Sequence, residues 1–212
     1  MAAQTTFTYL GSEVSESMDL DTTVSSRLAK ASAAYGLLCK IWTSTPLPPK
    51  LKAIMYNTLV RPIALYGAET WTLLPSHEHL LDVQDMRWIR HFSGVTLEQQ
   101  QRNEDIRERA GCPVPLSELC RQYRLRYYGH LCRMTSDRAP VIAMNRSAPG
   151  LRRQGHPHTS WKALVEADAA TRGLTLADLE ALAPKREEYR EKVIHADRLD
   201  GILTRPRRAA PH

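Results

Sequence analysis

Cysteine is scarce: four residues in 212, at Cys39, Cys112, Cys120 and Cys132. None forms a C-x-x-C pair, and the last three lie eight and twelve residues apart. This spacing lacks the tight ligand pairs of structural zinc sites and does not suit a disulfide framework. Buried free thiols in a reducing compartment are expected. A zinc site joining them to His130, His156 or His158 would have to form without such pairs. No apolar run approaches a membrane span. M-A-A-Q-T-T at the start has no basic region leading into an apolar core, so no secretory signal is legible. The expected setting is intracellular, nuclear or cytoplasmic. No Gly-flanked nucleophile elbow or phosphate loop is present. H-E-H at 77–79 is not H-E-x-x-H, and His77 and His79 fall on different faces of a helix. They read as solvent residues at a helix start. No repeat of solenoid period occurs.

Positive charge is in surplus: 29 Lys and Arg against 23 Asp and Glu, a net charge of +6 and a pI of about 9.3. A polyanionic partner is expected, nucleic acid first. The 42% apolar content supports a modest core in one domain or two small ones. Residues 5–11, T-T-F-T-Y-L-G, read as a short strand closed by Gly11. Asp19 or Asp21 suits a helix cap. Leu20, Val24, Leu28, Ala31, Tyr35, Leu38 and Trp42 then recur three and four apart, the face of a helix.

The stretch from Leu47 to Trp71 is the one around which the chain is organised. Pro48 and Pro49 suit a first helical turn. Leu51, Ile54, Met55, Thr58 and Leu59 form an apolar stripe, Pro62 predicts a kink or an end near Arg61, and Gly67 a stop. A third helix is expected from a Ser76 cap to His91, with Leu80, Val83, Met86, Ile89 and Phe92 inward. Further helices are expected at 103–110, from Pro115 through Met134, and from a Thr159 cap to Arg172. A capping-box start is expected at Thr175 and Asp178, followed by a charged helix with a thin inner face.

The words K-L-K-A-I-M-Y-N-T-L-V-R-P-I-A-L-Y-G-A-E-T-W resemble the thumb-region stretch K-x-x-x-Y-x-x-x-x-R-P-x-x-L-Y-G-x-E-x-W of non-LTR (LINE-like) retrotransposon reverse transcriptases. The matching positions are Lys52, Tyr56, Arg61, Pro62, Leu65, Tyr66, Gly67, Glu69 and Trp71. F-T-Y-L-G-S resembles that family's primer grip at Tyr9, Leu10 and Gly11. R-N-E-D-I-R-E-R-A-G resembles its R-N-x-x-I-R-x-x-x-G. R-Q-Y-R-L-R-Y-Y-G-H-L-C-R-M resembles R-x-x-R-L-R-W-x-G-H-x-x-R-M, with Tyr127 in place of Trp. The 148–161 segment, A-P-G-L-R-R-Q-G-H-P-H-T-S-W, resembles G-x-R-x-x-G-R-P-x-x-x-W, with His156 in place of Arg.

The resemblance implies a mainly α fold: a three-helix thumb-like bundle followed by a basic helical region, with a short N-terminal strand remnant. The implied divisions are a primer-grip-like strand at 1–12, the bundle at 13–95, the basic region at 96–200 and a disordered basic tail at 201–212. The strand's sheet partners are expected in the palm. Polymerase chemistry needs the palm's paired aspartates and metal ions. The sequence has no such pair, and Asp19 and Asp21 read as caps. No catalytic residue and no cofactor is therefore assigned to this chain; magnesium would belong to the palm.

Between Arg121 and Ser160 there are eight arginines, no lysine and one acid, Asp137. Arginine binds phosphate bidentately and stacks on bases. Arg121, Arg124 and Arg133, with Arg126 beside them and Arg152 and Arg153 in a following loop, are the expected nucleic-acid contacts. Tyr123 and Tyr127 are assigned to the core, leaving Tyr128 to stack on unpaired bases. The expected partners are RNA, DNA or an RNA–DNA hybrid, and the palm and endonuclease domains. The expected function is to grip template–primer without catalysis. The alternative is a host-adopted helical adaptor that binds protein.

Overall fold

The computed structural model describes residues 6–9, 12–15, 20–44, 46–146 and 160–194. The fold is mainly α-helical. At its start β1 (Thr6–Tyr9) pairs antiparallel with β2 (Ser12–Ser15), in register from Thr6↔Ser15 to Tyr9↔Ser12. This corrects the expectation of a strand awaiting partners from a palm. Strands two residues apart in sequence pair locally at little loop-closure cost. Leu10, Gly11 and the tail 201–212 lie outside the described residues.

Two compact units divide between Cys120 and Arg121. The sequence suggests a break after residue 95. The later boundary arises because α6 (Asn103–Ala110) packs on α3 (Pro49–Met55) and α5 (Pro75–Ser93).

In the first unit α1 (Leu20–Leu37) buries Val24, Leu28, Ala31 and Tyr35 as the spacing predicts. Arg27 joins them, its guanidinium 4.3 Å from the centre of the Tyr66 ring. A turn at Leu38 leads to α2 (Cys39–Ser44), which buries Trp42. Pro49 takes the first position of α3. A proline at 62 has no N–H for the carbonyl four residues back, and its ring crowds that carbonyl. The chain accommodates it by widening. Tyr56–Val60 make a single π turn, and the Arg61 N–H donates to the Tyr56 carbonyl, five residues back. α4 (Arg61–Ala64) resumes the helix and ends at its Leu65 cap, and Gly67, whose φ of +78° suits glycine, leads into a 3-10 turn at Ala68–Thr70.

The inner face of this segment is Ala53, Tyr56, Val60, Arg61 and Ala64, not the expected Leu51–Leu59 stripe. Leu51 and Leu59 are 41% and 44% exposed. Burial follows the aromatic cluster instead. The Tyr56 ring lies 5.6 Å from Phe92 and 6.0 Å from Trp88, and Tyr35 stacks on Trp42 at 5.1 Å. Rings this large dominate burial and outweigh a leucine stripe.

α5 starts one residue before Ser76, with Pro75 at its first position and Gly94 (φ +67°) at its end. It too is rotated from expectation. Leu81, Asp85, Met86, Trp88, Ile89 and Phe92 are buried, while Leu80 and Val83 are 44% and 43% exposed. α6 ends at Gly111 (φ +78°). α7 (Leu116–Cys132) comes next and runs through the division between the units.

The second unit holds the rest of α7, then α8 (Ala139–Asn145), α9 (Trp161–Ala170), α10 (Leu176–Leu182) and α11 (Arg186–Val193). Its core gathers Leu125, Tyr128, Val165, Ala169, Leu179 and Tyr189. α9 is capped by Ser160, whose Oγ accepts from Ala163 N at 3.1 Å, one residue later than the Thr159 cap expected. The box at Thr175 and Asp178 forms as the sequence predicts. These hydrogen bonds lower the pKa of the Asp178 carboxyl. A Cβ at Gly129 would meet the Tyr189 ring at 2.6 Å, so only glycine lets α11 lie this close to α7. The Tyr189 hydroxyl donates to the Leu125 carbonyl at 2.7 Å.

Candidate nucleic-acid interface

In the first unit the residues of the R-P-x-x-L-Y-G and R-N-x-x-I-R words meet. Asp85 is fully buried on α5. The π turn aims Tyr56 at it, and the Tyr56 hydroxyl donates to Asp85 Oδ1. Arg61 Nη2 donates to the same carboxylate at 3.1 and 3.2 Å and to the Val114 carbonyl at 2.9 Å. Arg107, from α6, donates to Asp85 Oδ2 at 2.5 Å. Burial, then the neighbouring Asp85 charge, pushes the Tyr56 hydroxyl well above its ordinary pKa, so it stays a donor. Burial alone would lower the Arg61 pKa, but the Asp85 charge wins and raises it. The nearby Cys112 thiol is pushed up by burial. Two cations and a phenol on one carboxylate give a fastening between helices. No nucleophile is paired with a base here.

Lys52 of the same motif donates from Nζ to the Trp42 carbonyl at 2.6 Å and the Phe92 carbonyl at 3.4 Å. Trp71 is buried. His77, expected in solvent, is 5% exposed. Its Nδ1 accepts from the Leu74 N–H at 3.0 Å, and its Nε2 bonds to Asp21 of α1. A carboxylate partner and an orphan N–H at a helix start draw the ring inward. His79 is exposed, as expected. Of the thiols, Cys112 and Cys120 are buried as expected, whereas Cys39 is exposed.

Outside α5 lies a groove of about 1060 Å³. Val83, Val95, Leu97 and Pro113 supply apolar walls, with Arg87 and Glu108 among its charged residues. Leu97 is 79% exposed.

In the second unit the expected basic face is partly turned inward. Arg124 is 1% exposed, and its Nε donates to Asp168 of α9 at 2.6 Å. Arg133 is half-buried, and its Nη1 donates to the Ala183 carbonyl at 3.0 Å. Arg121 is half-buried and Arg126 exposed. Tyr128 does not offer an open ring. It is fully buried, and its hydroxyl donates to Glu180 Oε1 at 2.8 Å. Burial, and then this bond, raises its pKa. Tyr123 and Tyr127, assigned to the core from sequence, are instead only half-buried. The reason is a rotation of α7 that spends its inner face on Leu125, Tyr128 and Leu131. Arg152 and Arg153 lie outside the described residues, as do His156 and His158. Among the described residues no cluster of three His, Cys, Asp or Glu side chains suits a metal ion. No helix among them is long and apolar enough to cross a membrane.

The chain is similar to an uncharacterized transposon-derived protein of Caenorhabditis elegans, 26% identical over 136 residues. The alignment covers 62% of this chain and 48% of that protein, so it spans about half the relative's length. The similarity supports a transposon-related origin. No family profile and no solved structure matches.

Proposed function

We propose that this chain is a nucleic-acid-binding thumb and post-thumb portion of a non-LTR retrotransposon reverse transcriptase, holding template–primer without catalysis of its own. The observation that carries the reading is the meeting at Asp85. Tyr56 and Arg61 come from one family-like word and Arg107 from another, 46 residues further on, and all three bind that carboxylate. Scattered chance matches have no reason to converge on one buried group. The transposon-derived relative and the net charge of +6 support the same reading. The test is binding of the purified chain to a labelled RNA–DNA hybrid, beside a primer-extension assay in magnesium. Binding without extension is expected. Extension that survives repurification, or no binding even at low salt, overturns the proposal.

The groove beside α5 favours a second reading, a protein-binding adaptor, because Val83 and Leu97 stand exposed in it. That reading predicts no salt-dependent affinity for nucleic acid.

A further inference from the structure

The outer face of α7 brings Arg126, an expected phosphate contact, beside two tyrosines that the spacing assigns to the core. Tyr123, Arg126, Tyr127 and His130 are spaced three, one and three apart, which sets them along one helical face. The structure joins them. The Arg126 guanidinium lies 5.8 Å from the centre of the Tyr123 ring. The Tyr127 and His130 rings are 6.3 Å apart. Trp161, at the start of α9, meets Tyr127 edge to face at 6.0 Å. Arg126 and His130 are exposed, and the three larger rings are half-buried. Lys162, next to Trp161, is exposed as well.

We infer that this stripe is a platform for unpaired bases of single-stranded nucleic acid, with Tyr127 and Trp161 as its stacking rings. The half-buried edges anchor the rings on the core, so ordering them on binding costs little side-chain entropy. Each base has a π face, so such rings bind without sequence preference. Arg126 and Lys162 supply positive charge for the backbone, and Arg126 can also stack. Opposite charge decides the occupant: a hydrophobic peptide needs no cations here, whereas a polyanion with planar bases uses both. A duplex offers its phosphates but hides its base faces, so the rings discriminate in favour of single strands.

This inference rests on the nucleic-acid-binding reading. The test uses the full chain with a labelled oligo-dT or oligo-U strand and a blunt duplex of equal length. Tyr127→Leu and Trp161→Leu keep apolar bulk and remove the aromatic face. Each is expected to weaken single-strand binding by roughly tenfold with duplex binding little changed, and Trp161→Leu is also expected to lower the thermal midpoint, because its ring packs on the second unit's core. Tyr127→Phe is expected to bind like the parent. Equal loss for strand and duplex, or no loss, overturns the platform while leaving the proposed function standing. No binding by the parent chain overturns both. Should a leucine variant melt early, photocrosslinking of the unaltered chain to a 5-iodouracil strand decides. Adducts at Tyr127 or Trp161 support the platform, and adducts confined to other residues overturn it.

Discussion

The two units each bury an acidic residue against arginine, and they do so differently. In the first, Asp85 gathers Tyr56 from the π turn, Arg61 from α4 and Arg107 from α6. In the second, the Arg124–Asp168 pair joins α7 to α9. The first arrangement fastens several segments through one carboxylate, so its loss strands two buried guanidiniums. The second fastens two helices, and an apolar pair of similar bulk can take its place. The contrast also shows that arginines counted as surface charge are partly internal. Arg27, Arg61, Arg107 and Arg124 are all less than 10% exposed, so the net charge of the sequence overstates what these positions offer a polyanion.

The largest expected effect is at Asp85. Asp85→Ala leaves Arg61 and Arg107 facing each other in the core, at a cost of more than about 4 kcal/mol. Urea denaturation checks the cost, with hydrogen exchange at α5 to show where protection is lost. A cost below about 1 kcal/mol would mean that the carboxylate is not the hub described.

Next comes Arg124→Ala, expected to cost about 3 kcal/mol by leaving Asp168 buried beside the gap. The double variant Arg124→Met with Asp168→Leu is expected to recover most of it. If the double variant is no better than the single one, the two units use their buried charges alike.

Gly129→Ala is expected to cost about 1–3 kcal/mol, because the added methyl meets the Tyr189 ring at 2.6 Å. Adding Tyr189→Leu is expected to return part of the loss. Thermal midpoints of the single and double variants decide.

The smallest effect is on pH dependence. Tyr56 and Tyr128 have raised pKa values when folded, through burial first and then Asp85 and Glu180 respectively. The folded chain therefore holds these protons where an unfolded tyrosine loses them. Their contribution is complete below the unfolded value of about 10 and is lost as pH rises above it. Urea midpoints are expected to fall on raising pH through that region, less steeply in Tyr128→Phe. Equal slopes in the two proteins would show that the Tyr128 hydroxyl is not protected.

Much of this fold is legible as punctuation. Pro49 and the Thr175–Asp178 box start helices where the sequence places them, and Gly67 follows shortly after the end of α4. What periodicity does not reveal is which face turns inward. Tyr56 is drawn to the ring cluster around Tyr35, Trp88 and Phe92, and the π turn ahead of Pro62 then changes the phase. His77 and Arg124 read as surface residues because their partners lie 56 and 44 residues away, and nothing in the spacing singles out Asp85, whose partners lie 22 to 29 residues away. Tyr123, Tyr127 and Tyr128 are too close in sequence for spacing to tell which one is covered. A mark at Asp85 was available in hindsight: an acid on α5 set among Leu81, Met86 and Ile89, with two arginine-bearing words to answer it.

Nucleic-acid binding is tested most directly by the affinity of the purified chain for an RNA–DNA hybrid across a salt series. Each phosphate contact contributes roughly 0.7 to 0.9 to the slope of log affinity against log salt. A straight fall is expected, with a slope of at least about 2 in magnitude, the signature of three or so phosphate contacts. Affinity that is absent at low salt, or that stays flat as salt rises, contradicts it.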